Sequence, residues 1–205
     1  MKPYYQDEWV TLYHGDSIQH PEWWTDADTL VTDPPYGLGE RWQGGTWGAN
    51  PMYADARRWD VRPEDEDLLG MIGDRPAIVW GGNYFTLPPS RCWLAWIKNP
   101  SLNTMADFEL AWTSLDRPAK AYTSTRNPDG PRGHPTQKPA SLMEWCLGFM
   151  PDGASVADPF AGSGTTLVAA KRLGRKAVGV ELDERYCEIA AKRLAQDVLD
   201  FGETS

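Results

Sequence analysis

The stretch Ala154-Ser155-Val156-Ala157-Asp158-Pro159-Phe160-Ala161-Gly162-Ser163-Gly164-Thr165 decides the fold of this 205-residue chain. A short apolar run ends in an aspartate, a glycine-rich turn follows, and a helical pattern runs from about Gly164 to Leu173. Lys176-Ala177-Val178-Gly179-Val180-Glu181 then reads as a second strand, so the segment is a βαβ unit. An amphipathic pattern carrying Tyr186, Ile189, Ala190 and Leu194 closes it. The expected class is α/β, with a mostly parallel sheet and helices on both faces.

Toward the N-terminus, Thr29-Leu30-Val31-Thr32 runs into Asp33-Pro34-Pro35-Tyr36, a second apolar run that ends in an aspartate. Both motifs therefore sit where a buried strand gives way to a loop, which is where open α/β sheets bind ligands. Residues 9–13, 76–80, 92–97 and 108–112 read as further strands, and the acidic stretch from Glu64 to Ile72 as a helix. Pro139 is placed to open another helix, with Leu142, Trp145, Cys146 and Phe149 on one face.

Gly162 and Gly164 let the backbone turn sharply and approach a ligand closely. Glu181 ends the next strand 19 residues after Gly162, a spacing that lets a carboxylate hold both hydroxyls of a ribose. The motif is not GxGxxG, so a pyrophosphate cradle is not expected, and it lacks the lysine of a P-loop. Asp158 suits a cationic amino group and Phe160 offers an apolar wall, which favours S-adenosylmethionine over NAD.

Asp33-Pro34-Pro35-Tyr36 suits amino-group chemistry. The exocyclic amine of adenine or cytosine is a poor nucleophile because its lone pair is delocalised into the ring. Asp33 can accept one of its N–H bonds and the Pro34 carbonyl another, drawing the nitrogen toward tetrahedral geometry. The prolines fix φ, so the carbonyl direction is built in, and Tyr36 supplies a ring for a base extruded from the duplex. No metal is called for. Methylation at C5 of cytosine would need a nucleophilic cysteine, usually after a proline, whereas Arg91, Trp93, Trp145 and Tyr186 neighbour the cysteines here.

The net charge of −9 argues against a protein that coats nucleic acid. The charge is uneven: −9 over residues 1–75, +3 over 76–140 and −3 over 141–205. Arg117, Lys120, Arg126, Arg132 and Lys138 fall in a polar stretch that reads as a basic surface loop. Residues 37–50 hold five glycines with Arg41, Trp42 and Trp47, the aromatic pair being candidates for base or duplex contact. No apolar run approaches the roughly 20 residues of a membrane helix, no export leader is expected at Met1-Lys2-Pro3-Tyr4, and Cys92, Cys146 and Cys187 form no CxxC pair. Free thiols and a cytoplasmic location are expected.

The chain resembles the amino-DNA methyltransferases that modify N6 of adenine or N4 of cytosine. Its motif order, with Asp33 to Tyr36 before His134-Pro135-Thr136-Gln137-Lys138-Pro139 and then the glycine-rich motif, looks like the circularly permuted beta group. The resemblance covers most of residues 9–195. It implies a Rossmann-like, S-adenosylmethionine-dependent methyltransferase fold in a single domain over 1–205, with small DNA-recognition loops at about 37–60 and 115–133. By this likeness Asp33, Pro34, Pro35 and Tyr36 are the catalytic loop. Asp158, Phe160, Ala161, Gly162, Ser163, Gly164 and Thr165 are the cofactor loop, to which Asp33 also contributes. Glu181, followed by Leu182, holds the ribose, Asp16 and Ser17 lie near the cofactor adenine, and His134, Thr136, Gln137 and Lys138 close over the methionine end. Arg41, Trp42, Trp47, Arg117, Lys120, Arg126 and Arg132 are the DNA-facing candidates.

Members of the group usually carry a larger recognition insertion, so the chain looks minimal. Either the recognised sequence is short or relaxed, or a second subunit, such as a second copy of the chain, supplies contacts. The expected reaction is base flipping and direct methyl transfer to N6 of adenine in double-stranded DNA, because Asp at the first motif position usually accompanies adenine in this family. The alternatives are N4 of cytosine and, in a different class, a non-catalytic DNA- or cofactor-binding regulatory module.

Overall fold

The computed structural model describes residues 2–39, 60–100, 106–125 and 137–200. Among them β1 (Tyr5–Gln6), β2 (Val10–His14), β3 (Thr29–Thr32), β4 (Ala77–Trp80), β5 (Trp93–Lys98), β6 (Phe108–Thr113), β7 (Lys120–Ser124), β8 (Val156–Asp158) and β9 (Ala177–Glu181) form one sheet. Its order is β1-β2-β9-β8-β3-β4-β6-β5-β7. The central run from β2 to β4 is parallel throughout. Strand β6 runs antiparallel to both β4 and β5, and β1 antiparallel to β2. The sheet is thus mostly parallel, as expected. One consequence matters for function: the C-terminal ends of β2, β9, β8, β3, β4 and β5 share an edge with the start of β6.

The central strands are apolar on both faces because both faces are covered. All four residues of β3 and all four of β4 are buried. Their side chains alternate between two cores. Leu30, Ala77 and Val79 pack with Leu68, Met71 and Ile72 of helix α1 (Asp65–Ile72). Val31, Ile78 and Trp80 face the other layer, built from α2 (Ala140–Leu147), α3 (Thr165–Arg172) and α4 (Glu184–Asp200). Each fully buried Leu, Ile or Val contributes about 1.5–3 kcal/mol relative to exposure. Pro139 caps α2 as the sequence suggests, and Leu142 and Cys146 are fully buried on its inner face.

The polar stretch read as a basic loop contains a strand. Residues 120–124 form β7, paired in parallel with β5 at the sheet edge. An edge strand buries little: Tyr122 packs inward against Trp145 at 5.4 Å between ring centroids, and Ser124 Oγ accepts the Trp96 indole N–H at 2.9 Å. No apolar run marks it for that reason, and its lysine is typical of an edge. Among the described residues, no helix is long and apolar enough to cross a membrane.

Candidate active site

A cavity of about 740 Å³ opens along the shared strand edge. Its first half is built by the glycine-rich turn. Asp158 closes β8 and accepts a hydrogen bond from Thr32 Oγ1 (2.7 Å), which ties β8 to β3, and another from the Phe160 N–H (3.2 Å). Burial pushes its carboxyl up to about 6. Gly162 and Gly164 both hold positive φ, +53° and +77°. A Cβ at Gly164 would lie 2.8 Å from the Ala190 Cβ of α4, so this glycine lets α3 and α4 approach. A Cβ at Gly162 would meet no protein atom within 4 Å and would project into open space. Arg193 of α4 fixes the turn by donating to the Ser163 carbonyl (2.6 Å) and to Thr165 Oγ1 (3.1 Å).

The 19-residue spacing from Gly162 to Glu181 proves to be a direct contact. The Gly162 N–H donates to Glu181 Oε2 (2.7 Å) and the Asp183 N–H to Oε1 (2.8 Å). Each oxygen keeps a lone pair for a ligand hydroxyl. Leu182 and Ile18, 67% and 42% exposed, line the mouth beside Glu181 as apolar flanks. Asp16 and the buried Ser17 line the same end, with Asp16 Oδ1 accepting the Ile18 N–H (2.9 Å). Gln137 reaches this half through Ser163, whose hydroxyl donates to Gln137 Oε1 (3.2 Å).

Burial, reinforced by the charges of Asp183 and Asp158, raises the Glu181 carboxyl to about 7 against the pull of the two N–H donors. The unfolded chain releases this proton at the ordinary glutamate value, so in the window between there and about pH 7 the native state holds a proton that the unfolded state has lost. Stability from this group is therefore full at low pH and declines as pH rises to about 7. We expect the thermal midpoint to fall between pH 5 and 7.5 and the Glu181→Gln variant to lose part of that slope in a calorimetric pH series. An unchanged slope in the variant would assign the titration elsewhere.

The second half of the cavity holds a chain of charges, with Lys98 and Lys138 buried and Asp33 and Glu109 half-buried. Asp33 leaves the end of β3 and receives Lys138 Nζ on Oδ2 and the Tyr36 hydroxyl on Oδ1, each at 2.5 Å. Lys138, just before α2, also lies 3.2 Å from Glu109 Oε2. The other Glu109 oxygen is ion-paired with Lys98 at the end of β5. Burial works to lower the Lys138 pKa, but Asp33 and Glu109 together hold it above the ordinary lysine value. Burial likewise works to raise Glu109, yet Lys138 and Lys98 hold it down at about 2. At Asp33 burial raises the carboxyl against the pull of Lys138.

The loop after Asp33 is held from below. Asp60 Oδ1 accepts the N–H of Tyr36 (2.8 Å) and of Gly37 (3.1 Å). The Tyr36 ring stacks on Tyr84, with centroids 4.8 Å apart, and passes directly over Gly81. Pro34 and Pro35 line the cavity beside it.

The structure thus gathers Asp33, Tyr36, Asp158, Phe160, Gly162 and Glu181 around one cavity, with Gly164 beneath it capping α3. Lys138 is also there, beside Asp33. Arg117 and Lys120 are not: Arg117 lies over the Phe149 ring (4.9 Å), and Lys120 starts β7, at the sheet end remote from Lys98. Arg41, Trp42, Trp47, Arg126, Arg132, His134 and Thr136 fall outside the described residues. The sequence reading passed over Lys98, Glu109, Asp60, Gly81 and Tyr84. The available signal was a charge near a strand terminus, Lys98 closing one apolar strand and Glu109 standing second in another.

Comparison with known proteins gives a consistent picture. Residues 79–192 match the family model for DNA methylases acting at N6 or N4. Type II methyltransferase M2.LlaDCHI of Lactococcus lactis subsp. cremoris is 50% identical, over 94% of this chain and 92% of that one. Type II methyltransferase M.HpaI of Haemophilus parainfluenzae is 41% identical, over 85% and 70%. The match to M2.DpnII of Streptococcus pneumoniae, 52% identical, is local and spans 30% of this chain and 23% of that one. Two solved structures share the fold. The cytosine-N4-specific PvuII DNA methyltransferase superposes with a TM-score of 0.62 at 18% identity, covering 97% of this chain and 93% of that one. M1.HpyAVI, solved as a complex with S-adenosylmethionine, gives 0.59 at 21% identity, covering 90% and 98%.

Proposed function

The chain belongs to the N6/N4 family of DNA methylases, and from that premise we propose that it methylates N6 of adenine in duplex DNA. The cofactor is S-adenosylmethionine, which when bound supplies an electrophilic methyl group on a sulfonium. The cavity fits it. Gly162 leaves room for close approach, the free lone pairs of Glu181 suit the ribose hydroxyls, and Ile18 and Leu182 flank the place of a flat base. Asp158 and Phe160 lie between that end and Asp33.

One observation carries the reading. Asp33, a half-buried carboxylate, sits at the far end of the cofactor's cavity on a loop whose two prolines and Asp60 contacts fix its backbone. Asp33 accepts an N–H of the amino group and the Pro34 carbonyl accepts the other, which localises the nitrogen lone pair. As the nitrogen gains the methyl group it must lose a proton, and Asp33 is the acceptor already in contact. The target base is extruded from the duplex and rests against the Tyr36–Tyr84 stack, whose outer ring is 43% exposed. Adenine is favoured over cytosine by the Asp at position 33, as in the wider family. The order of its motifs supports the reading of the chain as one of the permuted group, working in the cytoplasm.

The test is expression in a host whose DNA carries no amino-methylated bases, followed by sequencing and nucleoside mass analysis of that DNA. N6-methyladenine confined to one sequence context is expected. N4-methylcytosine instead would keep the chemistry and reverse the base.

A further inference from the structure

Lys138 does more in this cavity than neutralise Asp33. Its side chain is 3% exposed and lines the cavity, and its ammonium contacts Asp33 Oδ2 at 2.5 Å, Glu109 Oε2 at 3.2 Å and the Tyr36 hydroxyl at 3.2 Å. It also lies 5.3 Å from the centre of the Trp80 ring. Glu109 is in turn anchored by Lys98, so the ammonium has a fixed seat that does not depend on Asp33. All three N–H groups of the ammonium have acceptors, so donation to a bound base would take over the N–H now given at 3.2 Å to the Tyr36 hydroxyl, while Glu109 and Asp33 keep Lys138 in place.

An acceptor and a donor standing side by side are complementary to an amino group next to an unprotonated ring nitrogen. Adenine shows that pair as N6 and N1, and cytosine as N4 and N3. Guanine and thymine present a carbonyl beside a ring N–H along the same edge, which would set acceptor against acceptor and donor against donor. Enzymes that extrude a base read it along this Watson–Crick edge.

We propose that Lys138 is a base-reading residue that donates to the ring nitrogen adjacent to the target amino group, with Glu109 and Lys98 as the positioning residues that hold it there. This rests on the reading of Asp33 as the acceptor of the amino group. The contact selects and orients the base rather than activating it, because a cation at the ring nitrogen draws electrons away from the amine. Its loss should therefore raise KM and relax base discrimination more than it lowers kcat.

The test uses duplexes carrying the recognised sequence with the target adenine replaced by 1-deazaadenine, which lacks the adjacent ring nitrogen, or by 7-deazaadenine, which lacks a distant one. For a cytosine target, 3-deazacytosine takes the first place and 5-methylcytosine the second. The wild-type protein should lose about tenfold or more in kcat/KM on the first analogue, the size expected for one hydrogen bond from a charged donor, and little on the second. In Lys138→Met the gap between natural base and first analogue should close. Equal use of natural base and first analogue by the wild type would overturn the proposal, and this comparison needs no variant. So would a Lys138→Met protein that keeps the full gap, or one whose defect is confined to cofactor affinity. A wild-type protein that leaves the natural duplex unmethylated removes the underlying reading of Asp33 instead.

Discussion

Asp33→Ala should lower kcat for methyl transfer on the order of 10³-fold while leaving the affinity for S-adenosylmethionine within a few fold. The magnitude follows from removing one preorganised group aimed at the charge that develops in the transition state. Among the described residues, Asp33 Oδ1 and Oδ2 are engaged by Tyr36 and Lys138, both outside the glycine-rich cradle, so cofactor binding has little reason to change. The fold should persist too, because Lys138 keeps Glu109 as a partner and is not left as an unpaired buried charge. Asp33→Asn should be less damaging, since its amide oxygen still accepts an N–H. Isothermal titration with cofactor, run beside a single-turnover assay, separates the two quantities. A variant that loses cofactor binding in proportion to activity would place Asp33 in the cofactor site rather than at the base.

The second large effect is expected at a glycine remote from the motifs. Gly81 follows β4 with φ +68°, donates its N–H to the Leu110 carbonyl (2.8 Å) and caps the short turn Gly82–Tyr84. A Cβ here would stand 2.0 Å from Tyr36 Cε1 and 2.4 Å from Cζ, so Gly81→Ala cannot keep the Tyr36 ring where it is. Left-handed geometry adds about 1–2 kcal/mol of strain for a residue with a side chain. The displaced ring loses its stack on Tyr84 and its hydrogen bond to Asp33. We expect about 2–3 kcal/mol of lost stability and roughly 10²-fold slower methylation, the cost of a misplaced catalytic group. Denaturant unfolding and turnover measured on one preparation would check both. Gly82→Ala is the contrast: its Cβ would strike Trp112 Cβ at 2.4 Å, so it should destabilise the protein with no direct collision at Tyr36.

Much of this architecture was legible from local pattern. The strands leading to Asp33 and Asp158 are buried at every position and carry no charge before the closing aspartate, because both of their faces are covered, and the glycine-rich turn between β8 and α3 announces itself by composition. The contact between Gly162 and Glu181 follows from their spacing across one βαβ unit. What was not legible joins distant parts of the chain. Nothing near Glu109 in sequence indicates Lys138, and nothing near Asp60 indicates the backbone of Tyr36; these pairings exist only once β3, β6 and the segment before α2 meet at one sheet edge. Strand β7 escaped notice for a different reason. At the edge its alternate residues face solvent, so a strand of Lys120, Ala121, Tyr122, Thr123 and Ser124 has the composition of a loop.

The chemistry itself is open to one direct measurement. Purified protein is incubated with unmethylated genomic DNA and S-adenosylmethionine carrying a trideuteromethyl group, beside the Asp33→Ala variant, and the digested nucleosides are weighed by mass spectrometry. The account predicts deoxyadenosine gaining one trideuteromethyl group at N6 with the wild type and almost none with the variant. Label absent from every amino-bearing nucleoside, in a protein shown to bind the cofactor, would contradict it.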